Sequence, residues 1–220
     1  TRRSFDRGRP KRDAPRAVGE NRTAVERTQI AGFVTLSAVG VLDSATRGAA
    51  LVYLPFVMDD KGMGTAQMSV MLFLLFGGGA VGKFVVGWLG DRHGTVSLIW
   101  GTKGLTAMLL ATSLVVPPLA MAPLMIALGI GLNGTSSVLY ATVAEFVPAQ
   151  SRARLYGIYY TTNEGGTVLA PLFYGFVADL AGIRFTMVVM AILTTAILPV
   201  SLALRKYLAP KGLGVRARGA

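Results

Sequence analysis

Apolar residues run through this chain in six long stretches, not in the short alternating or one-faced patterns of a water-soluble domain. They cover residues 30–57, 66–89, 96–116, 119–146, 155–180 and 183–204. Crossing the hydrocarbon core of a bilayer as an α-helix takes about 20 residues, and each stretch is long enough. Charged or helix-breaking residues punctuate them: Asp59, Asp60 and Lys61; Asp91, Arg92 and His93; Pro117-Pro118; Arg152 and Arg154; and Ala181-Gly182. The pattern predicts an all-α membrane protein, a six-transmembrane-helix bundle over 29–205. A basic linker segment over 1–28, expected to be loosely ordered, precedes it, and a basic tail over 206–220 follows.

The stretches differ in polarity. Beyond Arg184 the sixth has only Thr186, Thr194, Thr195 and Ser201 as polar exceptions, which suits a helix facing lipid. The first, fourth and fifth carry polar groups near mid-span, which suits helices lining a cavity.

Composition sharpens this picture. The chain is 52% hydrophobic and only 15% charged, with a net charge of +11, where a soluble domain would carry about a quarter charged residues. Nine Lys and Arg lie in residues 1–28 and five in 205–220. Basic tails flanking apolar spans report membrane topology, so no nucleic-acid partner is expected. With six crossings and the N-terminus inside, the head, Arg92, Arg152, Arg154 and the tail share one side. Only Lys61 and Arg184 lie on the other, so seventeen basic residues oppose two. Both termini are therefore expected in the cytoplasm, in a multi-pass protein of the cell membrane. There is no cysteine and a single histidine, His93, which leaves no disulfide, thiol nucleophile, expected metal site or expected cofactor. The chain begins with Thr1 and reads as a fragment or a processed product.

The connection after the second stretch reads Gly87-Trp88-Leu89-Gly90-Asp91-Arg92-His93-Gly94. Glycines there permit a sharp reversal, Asp91 can accept from a helix N-terminus, and Arg92 can reach carboxylates or lipid phosphates. The segment resembles the signature loop of the major facilitator superfamily, which lies between the second and third helices of each six-helix half. It departs from that signature after Gly94, where Thr95 and Val96 replace the usual basic pair. A second segment, Glu145-Phe146-Val147-Pro148 followed by Arg152, Ala153, Arg154 and Gly157, is similar to the family's loop between the fourth and fifth helices. The resemblance implies the C-terminal half of a twelve-helix transporter. Its substrate site would lie near the midplane, and an N-terminal six-helix half would supply the other wall. It also implies that Asp91, Arg92, Glu145 and Arg152 latch a conformational state from the cytoplasmic side. Ordinary loop charges obeying the topology rule are the alternative.

Charges inside the stretches mark candidate chemistry, because an unpaired ion in hydrocarbon costs several kcal/mol. Asp43 and Arg47 lie four residues apart, close enough on one helix face to pair. Arg47 is a candidate for binding an anion and Asp43 for positioning it or taking a proton; the alternative is a self-neutralised structural pair. Glu164 lies about 13 Å along the fifth helix from Leu155, beside Tyr160 and Asn163. It is either a proton carrier or a group tying helices together. Lys83 and Lys103 each lie eight residues from a loop end. Snorkelling accounts for both, and Lys83 is the better candidate for a cavity. Asn133, Ser137 and Tyr140 share a face of the fourth helix and either line a substrate path or bond to neighbouring helices.

The function expected is secondary active transport of a small solute, either drug or metabolite efflux or organic-anion transport, with protons as a candidate coupling ion. A transport-inactive scaffold on the same bundle is the alternative. No catalytic constellation supports a membrane-embedded enzyme. The charge distribution makes a direct prediction: reporter fusions at Ala220 and within the loop at 59–61 should report opposite sides of the membrane. Reports from one side would rule out the six-helix arrangement.

Overall fold

A computed structural model describes residues 14–208, with side chains from Arg27 onward except that of Asp91. Most of the expected basic tail, the first part of the basic head and the Asp91 side chain lie outside the described residues. Helix α1 spans Ala14–Asp59, α2 Thr65–His93, α3 Thr95–Ser113 and α4 Met121–Phe146. Short 3-10 turns at Pro118–Ala120 and Ala149–Ser151 flank α4. The last element, Arg152–Leu204, is interrupted at Gly182, whose φ of 83° and ψ of 166° are reached readily only without a Cβ. It is therefore two helices, α5 (152–181) and α6 (183–204). Helix α1 starts well before the first apolar stretch. Its extension is rich in Ala, Arg and Glu, all good helix formers, and Pro15 near its start suits a first helical turn.

Four helical segments are long and apolar enough to cross a membrane, Arg27–Asp59, Thr65–Gly90, Pro118–Phe146 and Ala149–Leu204. The last is long enough for two crossings. Helix α3 is not among them, since it carries Thr95, Thr102, Lys103, Thr106 and Ser113, all turned into the bundle. Its 19 residues still reach about 28 Å, the thickness of the hydrocarbon core. The outward surface is strongly apolar, with Phe73, Phe84, Leu172, Phe176 and Leu180 exposed. A surface of that character belongs against lipid or a partner, not water.

Helix α2 packs along α4, α1 packs along the Arg152–Leu204 element, and α3 bridges that element and α4. Two apolar cores result. One gathers Leu54, Met58, Leu75, Met125, Leu128 and Met187. The other, toward the end carrying the α2–α3 turn, gathers Leu36, Ile99, Val143, Tyr159 and Ile197. Between them lies a polar layer. It holds Asp43 and Thr46 of α1, Thr102, Lys103 and Thr106 of α3, Thr135 of α4, Asn163 of α5 and Thr194 of α6, all buried. Thr102 and Thr135 share a hydrogen bond of 2.7 Å, and Thr194 donates to Thr46 at 3.3 Å. Thr186, Thr194 and Ser201 of α6 thus face inward, while Thr195 lies on the exposed side and donates to the Ala191 carbonyl at 3.0 Å. At the opposite end, Lys61 donates to the carbonyls of Leu114 and Val116 at 3.1 and 2.7 Å, satisfying acceptors left open where α3 stops.

Helices α2 and α4 approach through glycine. A Cβ built at Gly129 would stand 2.0 Å from the Leu75 carbonyl oxygen, and one at Gly78 2.2 Å from that of Ile126. Neither backbone can yield without separating the helices. Gly129→Ala should therefore lower stability by about 1–3 kcal/mol, the usual cost of overpacking, as read by thermal unfolding in detergent. Gly101→Ala, where the added methyl meets nothing within 4 Å, should show no loss.

Candidate functional site

Four helices line an open cavity of about 530 Å³ on one face of the bundle, beside the polar layer. Helix α1 contributes Arg47, α2 Lys83, α4 Asn133, Ser137 and Tyr140, and α5 Tyr160 and Glu164. Seven of the nine residues expected at a substrate or proton site are brought together here. Asp43 and Asn163 are not; both are buried behind the cavity, at 1% and 3% exposure.

The charge pairing differs from the one that spacing predicts. Asp43 of α1 pairs with Lys103 of α3, both side chains wholly buried, and not with Arg47. Lys103 does not snorkel to a membrane surface. It points inward, where a carboxylate on the neighbouring helix compensates part of the several kcal/mol that burying each ion costs. Arg47 is left to face the cavity. Its Nη2 donates to Ser44 Oγ at 3.2 Å and lies 4.0 Å from Glu164 Oε1, with the two side chains 17% and 40% exposed. That loose, half-solvated contact leaves most of the guanidinium's donors free.

Aromatic rings line the same space. Tyr140 meets the buried Tyr159 edge-on at 5.3 Å and Tyr160 at 6.4 Å between ring centres. Ser136, Phe76, Leu51 and Thr167 complete the lining, and the last three were not singled out from the sequence. The signal for them existed. Phe76 precedes Lys83 by seven residues, Leu51 follows Arg47 by four, and Thr167 follows Glu164 by three, each on the helix face already chosen. The hydroxyls of α4 are partly committed, since Ser136 donates to the Asn133 carbonyl at 2.7 Å and Ser137 to that of Gly134 at 2.8 Å. Asn133 donates only a long bond, 3.4 Å, to the Gly129 carbonyl, which leaves its amide oxygen for a ligand.

The residues expected to latch the α2–α3 end are less concentrated. The turn is one residue, Gly94, at φ 77° and ψ 151°. Gly87 lies against Ser137 of α4 with room for a methyl, while a Cβ at Gly90 would press on Val138 at 3.3 Å. The Arg92 guanidinium sits 4.3 Å over the Trp88 ring, one helical turn back, a contact favoured by the ring's negative face. Among the described residues no salt bridge joins Arg92, Glu145 and Arg152. A latch formed by those three is thus not assembled in this conformation. An apolar groove of about 450 Å³ lies elsewhere, lined by Leu42 of α1, Leu169 and Phe173 of α5 and Leu193 of α6.

Comparison with known proteins bears on this geometry. The gentisate transporter of Corynebacterium glutamicum is 29% identical over 147 residues, covering 66% of this chain and 31% of that protein. The 4-hydroxybenzoate transporter PcaK of Pseudomonas aeruginosa is 32% identical over 114 residues, 48% of this chain and 25% of that protein. The matched part of the chain thus spans about a third or less of these relatives. The fold resembles the crystal structure of a bacterial homologue of the human lysosomal transporter Spinster, in an inward-facing, unoccupied conformation. The TM-score is 0.63 at 18% identity, over 84% of this chain and 44% of that one. The family model described as Major Facilitator Superfamily matches residues 36–219, and this multi-pass membrane chain belongs to that superfamily of transporters.

Proposed function

We propose that this chain is the C-terminal half of a secondary active transporter for small aromatic carboxylates, moved together with a proton. The cavity carries the reading. Arg47 and Lys83 against Glu164 leave it one net positive charge, matched to a monoanion. Arginine's planar fork binds a carboxylate through two parallel hydrogen bonds. Phe76, Tyr140 and Tyr160 offer ring faces and edges at the same site, and the Asn133 oxygen can accept from a ring hydroxyl. The two relatives named for gentisate and 4-hydroxybenzoate support the class, since both compounds are aromatic hydroxy acids. An N-terminal six-helix half, in the same polypeptide or a partner, supplies the opposite wall, and both termini of this half lie in the cytoplasm.

Proton coupling follows from competition. The substrate carboxylate displaces Glu164 from Arg47, and Glu164, losing its cation, takes a proton from the side to which the cavity is open. The groups that face it are Arg47 of α1, Lys83 of α2, Tyr140 of α4 and Tyr160 of its own helix. One anion and one proton then cross together. Apparent affinity should rise as pH falls, because protonating Glu164 frees Arg47.

The test is uptake of labelled 4-hydroxybenzoate and gentisate by cells expressing the intact protein. Arg47→Ala should abolish saturable uptake. Arg47→Lys should raise KM by about tenfold, the scale of one charge-assisted hydrogen bond. A neutral analogue with an alcohol in place of the carboxylate should not be taken up, and its uptake at the same rate would defeat the anion assignment.

Glu164→Gln should retain exchange of internal for external substrate, lose proton-driven accumulation, and flatten the dependence of KM on pH. A Glu164→Gln protein with the wild-type pH profile would end the proton role.

A further inference from the structure

Two acidic and two basic side chains meet around α1, and the way they divide into pairs sets the charge of the cavity. Asp43 and Arg47 are one turn apart on α1, a spacing at which a carboxylate and a guanidinium readily pair. They do not pair here. Asp43 is held from behind by Lys103, reaching across from α3, and Arg47 faces forward to Glu164 at 4.0 Å. Among the described residues, Asp43 and Lys103 are the only buried charged side chains. Gly40, one turn before it on α1, lies against the hydroxyl of Tyr159 and the amide of Asn163. Both are neutral side chains.

Remove the Lys103 charge and Asp43 becomes an anion in a dry interior. Its available cation is then Arg47, on its own helix. An Arg47 held by Asp43 as well as Glu164 would have its fork occupied and its charge cancelled.

We propose that Lys103, which touches no part of the cavity, is a positioning residue for anion recognition. By withdrawing Asp43 from Arg47 it keeps the guanidinium available to substrate. This rests on the assignment of Arg47 as the anion-binding group.

The consequence is an asymmetry that a purely structural ion pair would not produce. Lys103→Met strands Asp43, so Asp43 turns to Arg47 and KM for 4-hydroxybenzoate should rise about tenfold with little change in maximal rate per folded molecule. Asp43→Asn strands Lys103 instead, leaves Arg47 free, and should keep KM within about twofold of wild type even where the yield of folded protein falls. The double variant Asp43→Asn/Lys103→Met has no carboxylate to turn and should restore the wild-type KM. Lys103→Gln is the second route should Lys103→Met fail to fold. It keeps hydrogen-bond donors near Asp43 but no charge, and should raise KM in the same direction.

A readout independent of substrate accompanies the kinetics in the intact protein. Phenylglyoxal modification of Arg47, followed by mass spectrometry of its peptide, should slow several-fold in Lys103→Met or Lys103→Gln and proceed at the wild-type rate in Asp43→Asn and the double variant. Equal KM and equal modification rates in the two single variants would overturn the proposal, because Asp43 would then be taking up a proton and not reaching Arg47. Absence of aromatic-acid uptake by the wild type, with the modification pattern intact, would remove the substrate assignment and leave the pairing control standing.

Discussion

A charge inside a bundle surrounded by hydrocarbon must be met by another charge, and the Asp43–Lys103 pair meets that condition at the centre of this protein. The rest of the mid-depth structure is arranged around it. Threonines of α1, α3, α4 and α6 and Asn163 of α5 gather at the same level, while apolar cores close off the layer above and below. The layer ties α3 to α1 by charge and to α4 by the Thr102–Thr135 hydrogen bond. Many of its hydroxyls also donate to carbonyls one turn back on their own helices, as Thr106 does to Thr102 and Thr194 to Met190. Few donors are therefore left without an acceptor, where the absence of water would make that costly.

The polar layer and the cavity are two sides of one arrangement. Arg47 lies one turn beyond Asp43 and looks into the cavity, while Asp43 looks toward α3. Thr167 joins the two, lining the cavity and donating to the Ser44 carbonyl on α1 at 3.4 Å. The glycine contacts between α2 and α4 bring Lys83 and Asn133 onto a common wall, because helices meeting backbone to backbone leave long polar side chains nowhere to go but out of the seam. Packing and recognition thus use the same helices, and a change in the α2–α4 distance would move two of the groups facing a ligand.

The end carrying the α2–α3 turn follows a different logic. Its charges are exposed, and among described residues Arg92 is satisfied by Trp88 on its own helix. A cation resting over an aromatic ring at an exposed site gains only about 0.5–1 kcal/mol. Such a contact is exchanged easily for a carboxylate brought close by a movement of the helices. The buried pair at mid-depth, with no water to replace either partner, is a permanent fixture by comparison.

The number of helices, the apolar character of their outer faces and the family were legible in the sequence, for reasons local to each segment. A run of about 20 apolar residues can satisfy its backbone within a membrane only as a helix, and a glycine or a proline pair marks where one helix must end. The face of the cavity was legible for the same reason, since residues three, four and seven apart, such as Asn133, Ser137 and Tyr140, share a side of any helix. What lay beyond the sequence was the choice of partner. Spacing on α1 offers Asp43 to Arg47, and depth along α3 offers Lys103 to a membrane surface, yet each goes elsewhere. The choice depends on how far α1 is rotated about its axis and how closely α3 approaches it. Those quantities arise from the packing of all six helices, and no single helix encodes them.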